Sequence, residues 1–377
     1  MVSVFEVISP LFQGHNTMPV EIIDVHTHSN VGFIDSDMPR DIISGLSLPP
    51  GQRQLPTMLL YDEQGLRLYD SITTEATEYY LFAAEEEILR KSADEIVKAM
   101  HYGKGTTSAE AVVELGAGCV MMSSFVTRSN LICYNRALRK TSYILLSLSR
   151  LVGDGNPSSP ITYFALDLER GELERTLTAI NKSDIGLQLE GKVMTKGMWG
   201  TYDDGLNFIQ NGGLDNNVEL SERLTSAGNR LRFVVDGSPI SSDVSSCGSE
   251  FSNGCSSPEE GFHPPLHIMF LGSSLGNFSR PDAASFLKSL PLRSGHDDTL
   301  LLGLDHDNDK RLIELAYNDP QGYTKRFIFN GLKAAGRALG DERMFDEEKW
   351  EYVNYYDIVS WCHLLLSKIH ELAIGIS

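Results

Sequence analysis

Hydrophobic positions follow two different rhythms along this chain. Between residues 55 and 102 they recur every three or four residues. LPTMLLYDEQGLRLYDSIT and TEYYLFAAEEEILRKSADEIVKAM therefore read as helices, the second with acids early and lysine late, as the helix dipole favours. Gly65 is the expected break in the first. From 111 to 340 short apolar runs alternate with amphipathic stretches, which predicts a parallel α/β sheet. AVVEL at 111, ITYFALD at 161, KVMTKGMW at 192, HIMFLG at 267 and DTLLLGL at 298 are the expected buried strands. VEIIDVHTH (20–28) and WEYVNYYDI (350–358) read as further strands, and the last stretch, 359–377, as an amphipathic tail unlike what precedes it.

The run at 111 ends in Gly116 and Gly118, where the chain can turn sharply and a ligand can lie on bare main chain. Met121 stands where a dinucleotide fingerprint needs a third glycine, which favours S-adenosylmethionine (SAM) over NAD. Asp167 ends the next strand, where a carboxylate accepts hydrogen bonds from ribose hydroxyls. It lies farther beyond Gly118 than the about 20 residues of a simple unit, mainly because of CVMMSSFVTRSNLICYNR (119–136), which fits neither helix nor turn. The glycine turn, Asp167, the Tyr202 loop and Asn277 all fall at carboxyl ends of predicted strands, where ligands of such sheets bind.

Composition narrows the partners. Asp plus Glu number 51 against 32 Lys plus Arg, a net charge of -19, which repels phosphate backbones and anionic lipid. Neither a nucleic-acid nor a membrane partner is expected, and a cytoplasmic protein is. Five scattered cysteines without CxxC spacing make a zinc site an unfavoured reading, so no metal is expected. Residues 1–18 read as a loose leader and the Ser/Gly-rich stretch 236–261 as a disordered surface insertion. His26 and His28, in DVHTH, pose one rival: a barrel-type, metal-dependent amidohydrolase begins with such a pair. That reading needs later ligands, and His101, His263, His267, His296 and His306 lie mostly in polar or loop-like contexts.

Taken in order, LPTMLLYDEQGLRLYDSIT, EYYL, VVELGAG, YFALDLERGELERTL, GTYDDGL, FLGSSLGNFSRPDAASFL and AYNDPQG resemble the histidine-specific, SAM-dependent methyltransferase family. The resemblance covers about residues 20–118 and 137–358. It implies an α/β fold: a Rossmann-like SAM-binding sheet with a second, substrate-capping domain. It also implies N-methylation of an amino-acid α-amine, by a monomer or homodimer. Histidine, as in ergothioneine biosynthesis, is the first expectation, and dimethylallyltryptophan, as in ergot alkaloid biosynthesis, the second. Carried over by motif, Gly116 and Gly118 lie against SAM, Lys140 stands near it, Asp167 holds the ribose and Tyr202 lies along the adenine. Asn277 binds the substrate's amino and carboxylate groups. Tyr61 and Tyr317 flank the accepting nitrogen, and Tyr69 and Tyr79 shape the side-chain pocket.

Three places depart from the family pattern. Thr201 stands where bacterial members carry an acid before the aromatic. The stretch 119–136 separates the glycine turn from its helix, and the tail from 359 differs from the family's closing strands; both read like translated intervening sequence. With both present in the mature protein, weak or no SAM binding is expected, and a catalytically impaired homologue becomes a further alternative.

Overall fold

The computed structural model describes residues 20–26, 34–103, 109–117, 130–152, 161–215, 264–306, 308–357, 362–369 and 372–376. The expected leader and Ser/Gly-rich insertion, Gly118, most of 119–136, and His28 lie outside the described residues.

Six strands form one parallel sheet: β1 (Ile22–Asp24), β3 (Glu110–Leu115), β4 (Ile161–Asp167), β5 (Val193–Trp199), β6 (Leu266–Phe270) and β7 (Thr299–Leu302). Their order is β1-β5-β4-β3-β6-β7. Strand succession runs outward from β3 to one side and then resumes at β6 on the other. The switch point between β3 and β6 opens a crevice beyond their carboxyl ends. Every residue of β3 and of β6 is buried, as central parallel strands require. β7, expected to be buried, is half-buried because it forms the sheet's edge.

Helices cover both faces. α3 (Tyr80–Met100) and α4 (Asn130–Val152) pack with α5 (Arg170–Lys182) and α6 (Asp184–Leu189) around Leu89, Val97, Ile144, Leu148 and Leu177. α7 (Tyr202–Gln210) and α8 (Arg280–Ser289) enclose the other core with Phe164, Leu206, Ile268, Phe270 and Phe286. Caps set where helices begin: Thr201 and Asp204 form a reciprocal capping box on α7, and Ser279 caps α8, with Pro281 in its first turn. α4 starts at Asn130, so the end of the anomalous stretch, expected to be neither helix nor turn, extends the helix predicted from 137.

A second lobe joins chain segments from both ends of the described protein. α1 (Ile34–Leu46), a 3-10 turn at Thr57–Leu60, α2 (Glu63–Glu75), α9 (Lys310–Ala316) and α10 (Tyr323–Ala338) are its helices. Ile42, Leu59, Leu60, Ile72, Ile328 and Leu332 form its core, each such burial contributing about 1.5–3 kcal/mol. Its sheet has the order β2-β10-β9-β8, from β2 (Gln54–Leu55), β8 (Glu351–Asp357), β9 (Cys362–Ile369) and β10 (Leu372–Ile376). The stretch after 358 thus continues the sheet: β9 pairs antiparallel with β8 from Glu351↔Lys368 to Asp357↔Cys362.

Gly65 is not the helix break. The chain breaks at Tyr61 and Asp62, and Asp62 caps α2 by accepting the Gly65 N–H at 2.7 Å. Gly65 sits in the first turn because a Cβ there would lie 1.8 Å from the Leu60 carbonyl oxygen.

Candidate functional site

The crevice at the switch point collects most of the residues singled out from the sequence. β3 delivers Gly116 in the left-handed conformation, φ 66°. The N–H groups of Gly116 and Ala117 donate to the Leu166 carbonyl at 3.0 and 3.2 Å, which sets the turn beside Asp167, the last residue of β4. The Asp167 carboxylate, at the lip of the sheet, accepts the Glu169 N–H at 3.1 Å. The next strand end, after β5, starts α7 with Tyr202. Its hydroxyl faces Gly116, and its ring packs edge-on against Phe270 at 5.5 Å.

From the other side of the switch point, Gly272 and Ser273 adopt positive φ, at 75° and 56°, and the 3-10 turn Ser274–Asn277 follows. This loop meets the second lobe. The Asn277 side chain reaches the Tyr61 hydroxyl. Tyr61 ends the 3-10 turn before α2 and lies edge-on to Tyr69, two helical turns on, at 6.1 Å, and to Phe327 of α10 at 5.6 Å. Asp62, next to Tyr61, is bound by the Asn330 amide at 2.6 Å and by Arg337, so α10 fixes the height of the tyrosine. Tyr79, the residue before α3, lies edge-on to Tyr317 at 5.8 Å. Tyr317 ends α9, and its carbonyl accepts the Tyr352 hydroxyl from β8.

The phenols are neutral. Burial pushes Tyr61, Tyr69, Tyr79 and Tyr317 above the ordinary tyrosine value, and the neighbouring phenols add to the effect on each except Tyr69, whose hydrogen bond to Tyr79 works against it. Such groups donate or accept hydrogen bonds without adding charge.

Lys140 of α4 lies at the same crevice, but its charge is already engaged. Its Nζ is 2.6 Å from Glu85 Oε2 and 3.9 Å above the Phe82 ring. Glu85 also accepts the Gly272 N–H at 2.8 Å, so one carboxylate on α3 ties α4 to the loop after β6. Sequence reasoning missed Glu85, hidden among three consecutive acids of a strongly amphipathic helix. It also missed Glu114, buried in β3, whose carboxylate accepts from the Tyr163 hydroxyl at 2.6 Å and the Thr141 hydroxyl at 2.9 Å. His26 of the DVHTH stretch bonds Asp24 at 2.7 Å and packs edge-on to Trp199 at 4.6 Å. His101 and His267, the second inside the strand read at 267, are both buried.

No helix among the described residues is long and apolar enough to cross a membrane. The model of the histidine-specific, SAM-dependent methyltransferase family matches residues 38–221 and 221–371, the second match extending through β9. An L-tryptophan methyltransferase from Psilocybe serbica is 37% identical over 321 residues, 83% of this chain and 70% of that protein. Ergothioneine biosynthesis protein 1 of Neurospora crassa is 31% identical over 340 residues, 90% of this chain but 28% of that longer protein. The histidine N-alpha-methyltransferase of Mycobacterium tuberculosis is 29% identical over 314 residues, 83% of this chain and 69% of that protein. With a parallel sheet, a glycine turn and a strand-end carboxylate at its switch point, and a family match over most of its length, the chain belongs to the histidine-specific, SAM-dependent methyltransferases.

Proposed function

We propose that this SAM-dependent N-methyltransferase acts on the α-amine of an aromatic amino acid, tryptophan ahead of histidine. The observation that carries this reading is the wall built by Tyr61, Tyr69 and Phe327, whose rings meet at 5.6–6.1 Å, with Tyr79 against Tyr317 beside it. Its phenols are half-buried and neutral. An indole offers a large flat ring to such a wall, whereas an imidazole needs polar partners for both nitrogens. The relative at 37% identity, named for tryptophan, supports the same order. Histidine, the first expectation from sequence, is kept as the second reading because the Neurospora and Mycobacterium relatives favour it. A prenylated tryptophan belongs to the same indole class.

The residues at the crevice fit SAM. Gly116 leaves a cradle that a Cβ would fill, and Asp167 sets a carboxylate one strand away, where ribose hydroxyls would donate to it. SAM, when bound, would supply a methyl group on a sulfonium, which an amine lone pair would take in line as the neutral thioether leaves. The chain must then hold the accepting nitrogen, unprotonated, on that line and keep water out. In this reading Tyr61 and Tyr317 orient the nitrogen by hydrogen bonds, and Asn277, which steadies Tyr61, holds the amino-acid head group. Tyr69 and Tyr79 shape the side-chain pocket, and Tyr202 walls the adenine side. Lys140, paired with Glu85, forms the floor.

Mass spectrometry of tryptophan, dimethylallyltryptophan and histidine, each incubated with the protein and SAM, tests the proposal. A kcat/KM for an indole substrate at least about tenfold above that for histidine is expected, equivalent to about 1.4 kcal/mol. A preference for histidine would overturn the order.

A further inference from the structure

At the amino-terminal ends of β3 and β6, opposite Gly116, three elements bring three ligating side chains together. His101 follows the last residue of α3, Glu110 opens β3, and His267 lies in β6. Their side chains are 4%, 6% and 2% exposed. His101 Nε2 is 2.8 Å from Glu110 Oε2, and His267 Nε2 is 3.8 Å from the same oxygen. One ligand atom from each residue lies within 4.8 Å of the other two. Tetrahedral zinc, with bonds of about 2.0–2.2 Å, sets its ligand atoms about 3.4 Å apart, inside that range.

The outer nitrogen of each ring is already occupied. His101 Nδ1 is 2.7 Å from the Val97 carbonyl oxygen, which only accepts, so Nδ1 carries the proton there. His267 Nδ1 is 2.7 Å from Thr299 Oγ1. Both rings thus turn Nε2 toward Glu110, each braced at its outer nitrogen by an oxygen, the usual arrangement of metal-bound histidines. His267 Nε2 is buried without a hydrogen-bond partner. A buried polar atom in that condition is destabilising unless something binds it.

We propose that His101, Glu110 and His267 form a structural site for a divalent transition metal, zinc first, that fastens the end of α3 to the adjacent strands β3 and β6. Two imidazoles and a carboxylate suit zinc better than calcium or magnesium, which prefer all-oxygen shells. The site lies at the start of β3, and the methyl-donor crevice lies at its end. It therefore serves the fold and not the transfer, and it does not depend on which amino acid is methylated.

Calorimetry of the full chain, stripped with a chelator and titrated with zinc chloride alone, tests the site. One saturable equivalent at submicromolar affinity is expected, together with a higher melting temperature. His267→Ala and Glu110→Gln should each weaken binding at least about a hundredfold, and Thr299→Val, which removes only an outer brace, about ten- to hundredfold. SAM titration of each variant separates loss of the metal site from loss of the fold. Cobalt(II) should give the visible bands of a nitrogen and oxygen ligand set. Zinc binding weaker than about 10 μM, binding undiminished in folded His267→Ala, or a cobalt–thiolate charge-transfer band would each overturn the proposal.

Discussion

The hydroxyl oxygen of Tyr202 lies 2.6 Å from where a Cβ on Gly116 would stand. The first residue of α7 and the glycine after β3 thus define a single gap, in which main chain faces a phenol with no side chain between them. Gly116 also holds φ at 66°, which costs an L-residue about 1–2 kcal/mol. Gly116→Ala is expected to lower stability by about that amount and SAM affinity at least about tenfold. Adding Tyr202→Phe removes the hydroxyl that the new Cβ meets and should restore part of the loss. Calorimetric SAM titration and thermal melts of the two variants and their combination check both effects.

Glu85 and Lys140 are 15% and 12% exposed and hold one another at 2.6 Å. Lys140→Met leaves the Glu85 carboxylate half-enclosed without its cation, and a loss of about 2–3 kcal/mol is expected. Glu85→Gln alone should cost less, because the amide oxygen still accepts the Gly272 N–H. The double variant should cost less than the sum of the singles. Urea unfolding of all four proteins measures the coupling, and additive losses would show that the pair does not act as one.

Removing the hydroxyl of Tyr61 or of Tyr317 tests their proposed role at the nitrogen. Each Phe variant keeps the ring and its packing, so SAM affinity and melting temperature should hold, while kcat falls about ten- to hundredfold. Asn277→Ala should act mainly on KM for the amino acid. Steady-state kinetics with the preferred substrate distinguishes these patterns, and unchanged kcat in both Phe variants would remove the tyrosines from the chemistry.

Burial raises Glu114 from 4.5 to about 7, with Glu85 adding to the effect and the Tyr163 and Thr141 hydroxyls and Lys140 opposing it. The folded chain therefore holds a proton that the unfolded chain releases near 4.5. This contribution to stability is fully present below that pH and is lost as pH rises through about 7. Stability from this group should fall by about 2–3 kcal/mol between pH 5 and 8, and Glu114→Gln should flatten the slope in that window. Urea unfolding at several pH values across the interval gives the comparison.

Much of this architecture was legible as pattern. The apolar run at 111–115, ITYFALD and HIMF are strands because their length and composition admit little else in a buried parallel sheet. Gly116 marks a local backbone need that a few adjacent residues satisfy. Gly65 misled because the same lack of a side chain that ends helices also lets one begin under the Leu60 carbonyl. The stretch after 358 looked foreign because β9 and β10 alternate weakly; their pairing with β8 and β2 comes from neighbours distant in sequence.

The amino-acid order alone marked the strands of the parallel sheet and the residues that end them, because those properties depend on neighbours within a turn or two. Tertiary structure decided that β6 lies beside β3, and so that Asn277 meets Tyr61 at the same crevice as Gly116. It also decided that Lys140 has Glu85 for a partner and that His101, Glu110 and His267 converge. Strand pairing across long intervening chain is settled by the summed burial of whole layers, and no local periodicity carries that information.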